Sequence, residues 1–514
     1  MSQKRSASLL SSTLSVTLII LFSKAVGFVR EMIMAAYFGA DIVTDSYNAA
    51  YSLFYLPVLL FSSCITSTLV PQYIRCERDA GIKQANRFAS NSLTVFCVAA
   101  LAVSLIMFFL SDTLVALVYP GFNPLAHKDA VSLTRIMLPA LVFFTAGLVL
   151  SSLLNAREKY VAAQLTGLPL SVAEITLAVL LSRKYGIVTQ AWGVILAGFL
   201  QIIILIPFLG GLKLRPYFNF NDKYLKKVLI LALPAVLAMA VNELNHMVDR
   251  MLASGLRPGD ISAMSYAFKL IMFMMGVLVV PLTTVSFSKL SKTSAKNDPE
   301  SVIPMVRSSM SMLLMWVLPI VIIAGAQHMH IIRFAYGRGR FVEENVRVTG
   351  LVFLCYVAGL PFFGLRDLTN RVYHAFEDTK TPMFISVASV VLNIILNLIL
   401  RKLMGVYGLA LATVFAALFG VVLLFSLLGR HVTGVFDRSF IMEMVRTLLL
   451  NIPLALAAFG LDALIPPAFG TLRVFLRLAL VSVCCLAVYI LCILLLGGKR
   501  EKAALKQLKG LIKR

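Results

Sequence analysis

Roughly fourteen apolar runs, each about 17–25 residues and therefore long enough to cross a hydrocarbon layer, punctuate this 514-residue chain. They fall around 9–29, 49–70, 90–111, 132–154, 162–182, 188–209, 225–247, 262–287, 307–326, 347–368, 382–400, 405–428, 441–463 and 472–497. Only 14% of residues are charged and 59% are hydrophobic, where a soluble domain carries about 25% charged residues. In lipid each segment must satisfy its own backbone, which makes helices the economical solution for so many separate runs. The chain reads as an all-α polytopic membrane protein. The first run exceeds the usual apolar core of a secretory signal, about 7–15 residues, and meets charges where a small-residue cleavage site belongs, so it reads as a retained span.

The formal net charge is +23, which in a soluble protein would suggest nucleic acid. Here its distribution argues otherwise. With both termini cytoplasmic, roughly 29 Lys and Arg fall in cytoplasmic segments, about 14 in the other loops and helix ends, and about four inside spans, the bias of the positive-inside rule. The richest groups are LKLRPYFNFNDKYLKK, SKLSKTSAK and the tail GGKREKAALKQLKGLIKR. The tail reads as a topogenic anchor, with contact to anionic head groups as the alternative. The seven cysteines lie mostly in or beside the spans and read as small buried hydrophobes. His328 and His330 form an HxH with no further ligands beside it, so no metal is assigned there.

One stripe stands out. Within FSKAVGFVREM, Ser23, Lys24, Gly27, Arg30 and Glu31 share roughly a 120° arc of one helix. Burying a charge in lipid costs about 2.5–3.5 kcal/mol on insertion scales, so these groups face a cavity or a partner. Lys269 in YAFKLIMFMMGVLV, Arg366 and Asp367, and Glu243 and Asp249 raise the same question. A cationic cavity suits an anionic substrate, and a guanidinium suits phosphate; the bland alternatives are a structural Arg30–Glu31 pair, a snorkelling Lys24 and an interfacial Arg366–Asp367. Asn393 and Asn397, with Thr413 and Asp249, offer hard oxygens for a small cation, although spacing alone favours polar glue between helices.

An internal repeat gives the architecture. Ala156 and Glu158 in LNAREKY match Ala375 and Glu377 in VYHAFEDTKTP, and AWGVILAGFLQ matches VYGLALATVFA. Each copy carries a basic hinge, SRKYG or RKLMG, between two apolar runs. The copies stand six spans apart, an even offset that keeps them in one orientation and suits alternating access. The expected organisation is an N-terminal lobe over 1–222, a C-terminal lobe over 223–430, a helix pair over 431–498 and a basic cytoplasmic tail over 499–514. No Walker-type GxxxxGK[ST], HExxH or GxSxG occurs, so neither ATP hydrolysis nor a familiar enzyme chemistry is expected.

Taken in order, SKAVGFVREMIMAAYFGADIVTDSY, DRMLASGLRPGDISAMSYAFKL, FAYGRGRFVEENVRVTGLVF and AFEDTKTP, with two further C-terminal helices, resemble the MurJ (MviN) family. These are lipid II flippases of the multidrug/oligosaccharidyl-lipid/polysaccharide exporter superfamily. The resemblance covers nearly the whole chain. It implies two six-helix lobes around a V-shaped cavity and a C-terminal pair bordering a lipid-tail groove. It also implies transport of the undecaprenyl-pyrophosphate-linked peptidoglycan precursor to the outer leaflet of a bacterial cytoplasmic (inner) membrane. The family's substrate contacts would fall on Ser23, Lys24, Arg30, Glu31, Asp45 and Lys269, and the placement of polar groups in the spans adds Gly27 and Arg366 as candidates. A sodium site would fall on Asp249, Asn393, Asn397, Thr413 and the carbonyl of Leu409, with sodium as candidate coupling ion and no cofactor required. Membrane lipids and the cell-wall synthesis machinery are the other implied partners; nucleic acid is not. The chain departs from the family pattern where Lys24 and Lys269 replace arginines, where the second helix lacks a usual arginine pair and glutamate, and where Met272 replaces an acid. A flippase for another polyprenyl-linked glycan, a cation-coupled multidrug exporter and a non-transporting scaffold are the rival readings.

Overall fold

The computed structural model describes residues 2–210, 212, 214–284, 299–429, 434–466, 468–498 and 502, with side chains except at 2–14, 235, 237–238, 241–242, 244 and 299–301. The SKLSKTSAK stretch and residues 499–514, Lys502 apart, lie outside the described residues. The chain forms two compact units, Met1–Ser262 with Gly339–Phe341, and Ala263–Arg338 with Val342–Arg514. Among the described residues every regular element is a helix.

The first unit holds α1 (Ser2–Phe38), α2 (Ile42–Val118), α3 (Pro124–Met137), α4 (Ala140–Ala156), α5 (Tyr160–Gln164), α6 (Leu168–Tyr185), α7 (Val188–Leu205) and α8 (Lys223–Ala253). It ends at the first residues of α9 (Asp260–Met274), which continues into the second unit. There follow α10 (Pro299–Ala326), α11 (His328–Tyr336), α12 (Glu343–Ala358), α13 (Leu360–Ala375), α14 (Lys380–Met404), α15 (Val406–Leu428), α16 (Arg438–Leu450), α17 (Ile452–Leu464) and α18 (Thr471–Leu496).

Among the described residues, nine helices are long and apolar enough to cross a membrane, or up to eleven if each of two bent pairs counts as one span. The protein is therefore a multi-pass membrane protein. The nine include Ile42–Val118, which covers both the 49–70 and 90–111 runs and breaks at Gly81, whose backbone leaves the helical region at φ 78°. Apolar side chains such as Phe109, Leu456 and Leu496 stay exposed on helix faces, which is the surface hydrocarbon would cover. Polar caps fix several helix starts: Asp41 accepts from the amides of Val43 and Thr44, and Asn123 from that of Ala126.

The repeat is visible in the backbone of each unit. Glu158 (φ 61°) and Glu377 (φ 59°) are the non-glycine residues with positive φ among those described. Each follows a helix that closes with the same hydrogen bonds. The Lys159 amide donates to the Leu154 carbonyl (2.9 Å) in one copy, and the Asp378 amide to that of Tyr373 (3.0 Å) in the other. This is the six-to-one closure in which a left-handed residue ends a helix. The basic hinges match as well, with Gly186 (φ 59°) and Gly405 (φ 60°) in the same conformation. A third correspondence is a Leu–Pro bend in the preceding span. Pro139 separates α3 from α4 at 45°, and Leu360–Pro361 starts α13 at 40° to α12, because proline removes a helical donor and crowds the preceding turn. A left-handed conformation costs a side-chain-bearing residue about 1–2 kcal/mol. Glu158→Gly and Glu377→Gly are therefore each expected to raise stability by about 0.5–1 kcal/mol, and valine at either position to lower it, in thermal unfolding of the detergent-solubilised protein.

Candidate functional site

The stripe on α1 meets α6. A Cβ built at Gly167, just before α6, would lie 3.5 Å from the Ser23 Cβ, and one at Gly27 would lie 3.8 Å from the Ser171 Oγ. One turn further, the Arg30 Nε stands 3.3 Å from the Glu174 Oε2. Positions 23, 27 and 30 thus face 167, 171 and 174, the same spacing on both sides. Small residues at the crossing let the helices approach closely.

Arg30 sits between two carboxylates. Its Nη2 donates to Glu31 Oε1 at 2.6 Å, and Glu174 lies on its Nε side. Glu174 is 2% exposed and accepts from the Tyr47 hydroxyl at 2.8 Å. Gly193 makes room for it, since a Cβ there would stand 2.9 Å from the Glu174 Cγ. Tyr47 begins a ladder along α2: its ring stacks on Tyr51 (centroids 6.0 Å apart), and Tyr51 stacks on Tyr55 (5.5 Å). Lys24, by contrast, is exposed. Of the five stripe residues the structure joins Ser23, Gly27, Arg30 and Glu31 to the α1–α6 contact and leaves Lys24 on the surface of the unit. Glu174 escaped the sequence reading, although it is the single carboxylate in the 162–182 run and the cost of burying charge marks it out.

Asp45 turns both carboxylate oxygens onto the chain. Oδ2 accepts from the Gly259 amide (2.7 Å), and Oδ1 from the Ser262 amide (2.7 Å) and hydroxyl (2.5 Å). Asp45 therefore caps the start of α9 from a distant part of the same unit. Gly259 (φ 93°) is needed there, because a Cβ would come within 2.5 Å of the Ala40 carbonyl oxygen. Gly339 (φ 59°) packs as tightly, its would-be Cβ 2.1 Å from the Ala36 oxygen, where the Arg340 amide also donates (2.8 Å). Asp249 is buried on α8 and Glu243 half-buried.

In the second unit, Lys269 is half-buried with its Nζ 5.8 Å from the Tyr266 ring centre. The Arg366 Nη2 donates to Ser386 Oγ at 3.1 Å, while Asp367 accepts from the Thr283 hydroxyl (2.7 Å) and the Arg371 Nε (3.0 Å). Arg366 and Asp367 thus have different partners. Asn393 and Asn397 are buried on α14, and the Asn397 amide donates to the Asn393 oxygen at 2.9 Å. On α15 the Thr413 hydroxyl donates to the Leu409 carbonyl at 3.2 Å. These are hard oxygen donors of the kind sodium takes.

Another buried charge of this unit was absent from the sequence reading. Arg477, 5% exposed on α18, pairs with Asp462 at 2.9 Å and donates to the carbonyls of Asp462 and Ile465. It also contacts the ring of His330, on α11 outside the membrane-crossing helices. Burial first, then the Arg477 charge, pushes the His330 imidazole down to about 4. As pH falls below about 6.5 the unfolded chain takes up this proton and the folded protein does not, so stability is lost between there and about 4. The unfolding temperature is expected to fall between pH 7.5 and pH 5, and His330→Gln to flatten that fall.

The model of the family described as "Lipid II flippase MurJ" matches residues 34–480. The chain belongs to the MurJ family. The first-span stripe lies just ahead of the matched residues. A relative named probable lipid II flippase MurJ, from Buchnera aphidicola subsp. Acyrthosiphon pisum (strain APS), is 28% identical over 406 residues, 76% of this chain and 78% of the relative. A solved structure of lipid II flippase MurJ in an inward closed conformation superposes with TM-score 0.76 at 25% identity, covering 92% of this chain and 98% of that one. An inward-facing multidrug resistance MATE family transporter of the MOP superfamily shares the fold at TM-score 0.68 and 13% identity, over 82% of this chain and 97% of that one. MurJ membership places the chain among transporters rather than enzymes, and it rules in favour of the flippase resemblance over the drug-exporter rival.

Proposed function

We propose that this protein moves lipid II, the polyprenyl-pyrophosphate-linked peptidoglycan precursor, from the cytoplasmic to the outer leaflet of the bacterial inner membrane by alternating access. The observation that carries this reading is the family match across residues 34–480. Both termini are cytoplasmic in the proposed topology, which rests on the skewed distribution of Lys and Arg.

In this reading the diphosphate is held by charge. Lys24 is the exposed cation of the first-span stripe and Lys269 the contribution of the second unit. Arg30 joins by exchange: it is already flanked by Glu31 and Glu174, so a diphosphate engages it by displacing one carboxylate. Such an exchange links substrate arrival to the α1–α6 contact, giving the head group leverage over helix packing. Lipid tails stay in the bilayer while the polar head moves. Asn393, Asn397, Thr413 and the Leu409 carbonyl would hold a sodium ion, which when bound would supply positive charge at that place.

Depletion in the native cell tests the substrate. The expected result is inward-facing lipid II accumulation and lysis, both reversed by this chain. Normal lipid II distribution after depletion, with another polyprenyl-linked glycan accumulating instead, would replace this reading.

A further inference from the structure

A cavity of about 540 Å³ opens where the second span of α2 ends against α3. It lies wholly within the first unit, and nothing in the transport reading uses it. Its size falls in the range of small-ligand pockets. Its walls include Arg135, Lys128, His127, Asp112, Ser132 and Phe108.

The charges here are arranged rather than scattered. The Arg135 Nε donates to Ser111 Oγ at 2.7 Å, and its guanidinium carbon sits 5.5 Å from the centre of the Phe108 ring. That fixes the side chain through Nε, and the other two guanidinium nitrogens form an edge of the kind that recognises phosphate oxygens in pairs. Lys128 is exposed on the same wall. The one carboxylate of the wall, Asp112, is 2.9 Å from His127 Nε2, which leaves two cations against one carboxylate already engaged.

What surrounds the cavity favours a lipid over a soluble anion. Leu101, Leu105 and Phe108 are exposed and recur at helical spacing with Asp112, so one stripe of α2 runs down from the cavity mouth. Phe109, 76% exposed, flanks it. A soluble anion would use the cations alone, whereas the stripe belongs to the hydrocarbon-facing surface and sets an acyl chain beside them. A glycerophospholipid with an anionic head uses both.

We infer that this cavity binds the phosphate of an anionic glycerophospholipid through Arg135 and Lys128, with an acyl chain lying along Leu101, Leu105 and Phe108. In the proposed topology the leaflet is the outer one; binding itself does not rest on that topology or on lipid II transport.

The test uses the full chain, purified in detergent and exposed to phosphatidylglycerol or phosphatidylcholine, with retained lipid counted by native mass spectrometry. Arg135→Gln with Lys128→Gln is expected to lower phosphatidylglycerol retention at least fivefold and leave phosphatidylcholine unchanged. Ser132→Trp, which fills the cavity without altering charge, is expected to give the same loss and covers the case in which the double variant fails to fold. Unchanged phosphatidylglycerol retention in whichever variants fold would overturn the proposal. So would displacement of the lipid by millimolar inorganic phosphate, which would make the cavity a soluble-anion site. Because the readout is lipid retention, failure here leaves the transport reading standing.

Discussion

Glu174→Ala is expected to cost about 1–3 kcal/mol of stability, the range for leaving a buried polar group unsatisfied, because Glu31 still compensates the Arg30 charge. The loss has two sources. Arg30 keeps Glu31 but loses the carboxylate on its Nε side, and the Tyr47 hydroxyl loses its acceptor. Glu174→Gln separates them, since an amide oxygen still accepts from Tyr47 while the charge is gone. The glutamine variant should fall between alanine and the parent in thermal unfolding. Transport should fall in both, because α1 would no longer be held at the register in which Ser23 and Gly27 meet α6. An alanine variant as stable as the parent would mean that Arg30–Glu31 alone is the structural unit.

Asp45→Ala carries the second large effect. It removes three hydrogen bonds and strands the amides of Gly259 and Ser262, at about 1–3 kcal/mol for a buried group left unsatisfied. Asp45→Asn preserves an oxygen for Ser262 but not the acceptor for Gly259, so it should lose less. Hydrogen exchange gives the specific readout: the amides at 259 and 262 should exchange much faster in the alanine variant than in the parent, ahead of any global unfolding. Unchanged exchange there would show that the α9 start is held by other contacts.

These two cases also show what the sequence could and could not reveal. Apolar runs are long-range information written locally, so spans such as 188–209 and 472–497 reappear nearly unchanged as Val188–Phe208 and Thr471–Leu496. The repeat was legible for the same reason, and the matched glutamates turned out to share a strained backbone as well as an alignment position. The first-span stripe could be recognised as needing a neighbour, because charge in hydrocarbon is costly. Which neighbour was hidden, since Arg30 and Glu174 are brought together by helix packing and by the absence of side chains at Gly27, Gly167 and Gly193. Asp45 entered the reading only through resemblance. Its partners lie more than two hundred residues away, and no periodicity encodes such a pairing. The 132–154 run concealed a bend, because Pro139 looks like any residue to a hydropathy window while removing a helix donor.

The proposed hold on the diphosphate rests on Lys24 and Lys269 beside Arg30. Its most direct measurement is lipid II translocation in reconstituted vesicles by Lys24→Gln with Lys269→Gln, which leaves the buried carboxylate network intact. Two charge-assisted contacts at about 1.5–3 kcal/mol each predict a rate at least about a hundredfold below the parent. Lys24→Arg with Lys269→Arg, which keeps both charges, should retain transport. Full-rate translocation by the glutamine pair would contradict the account.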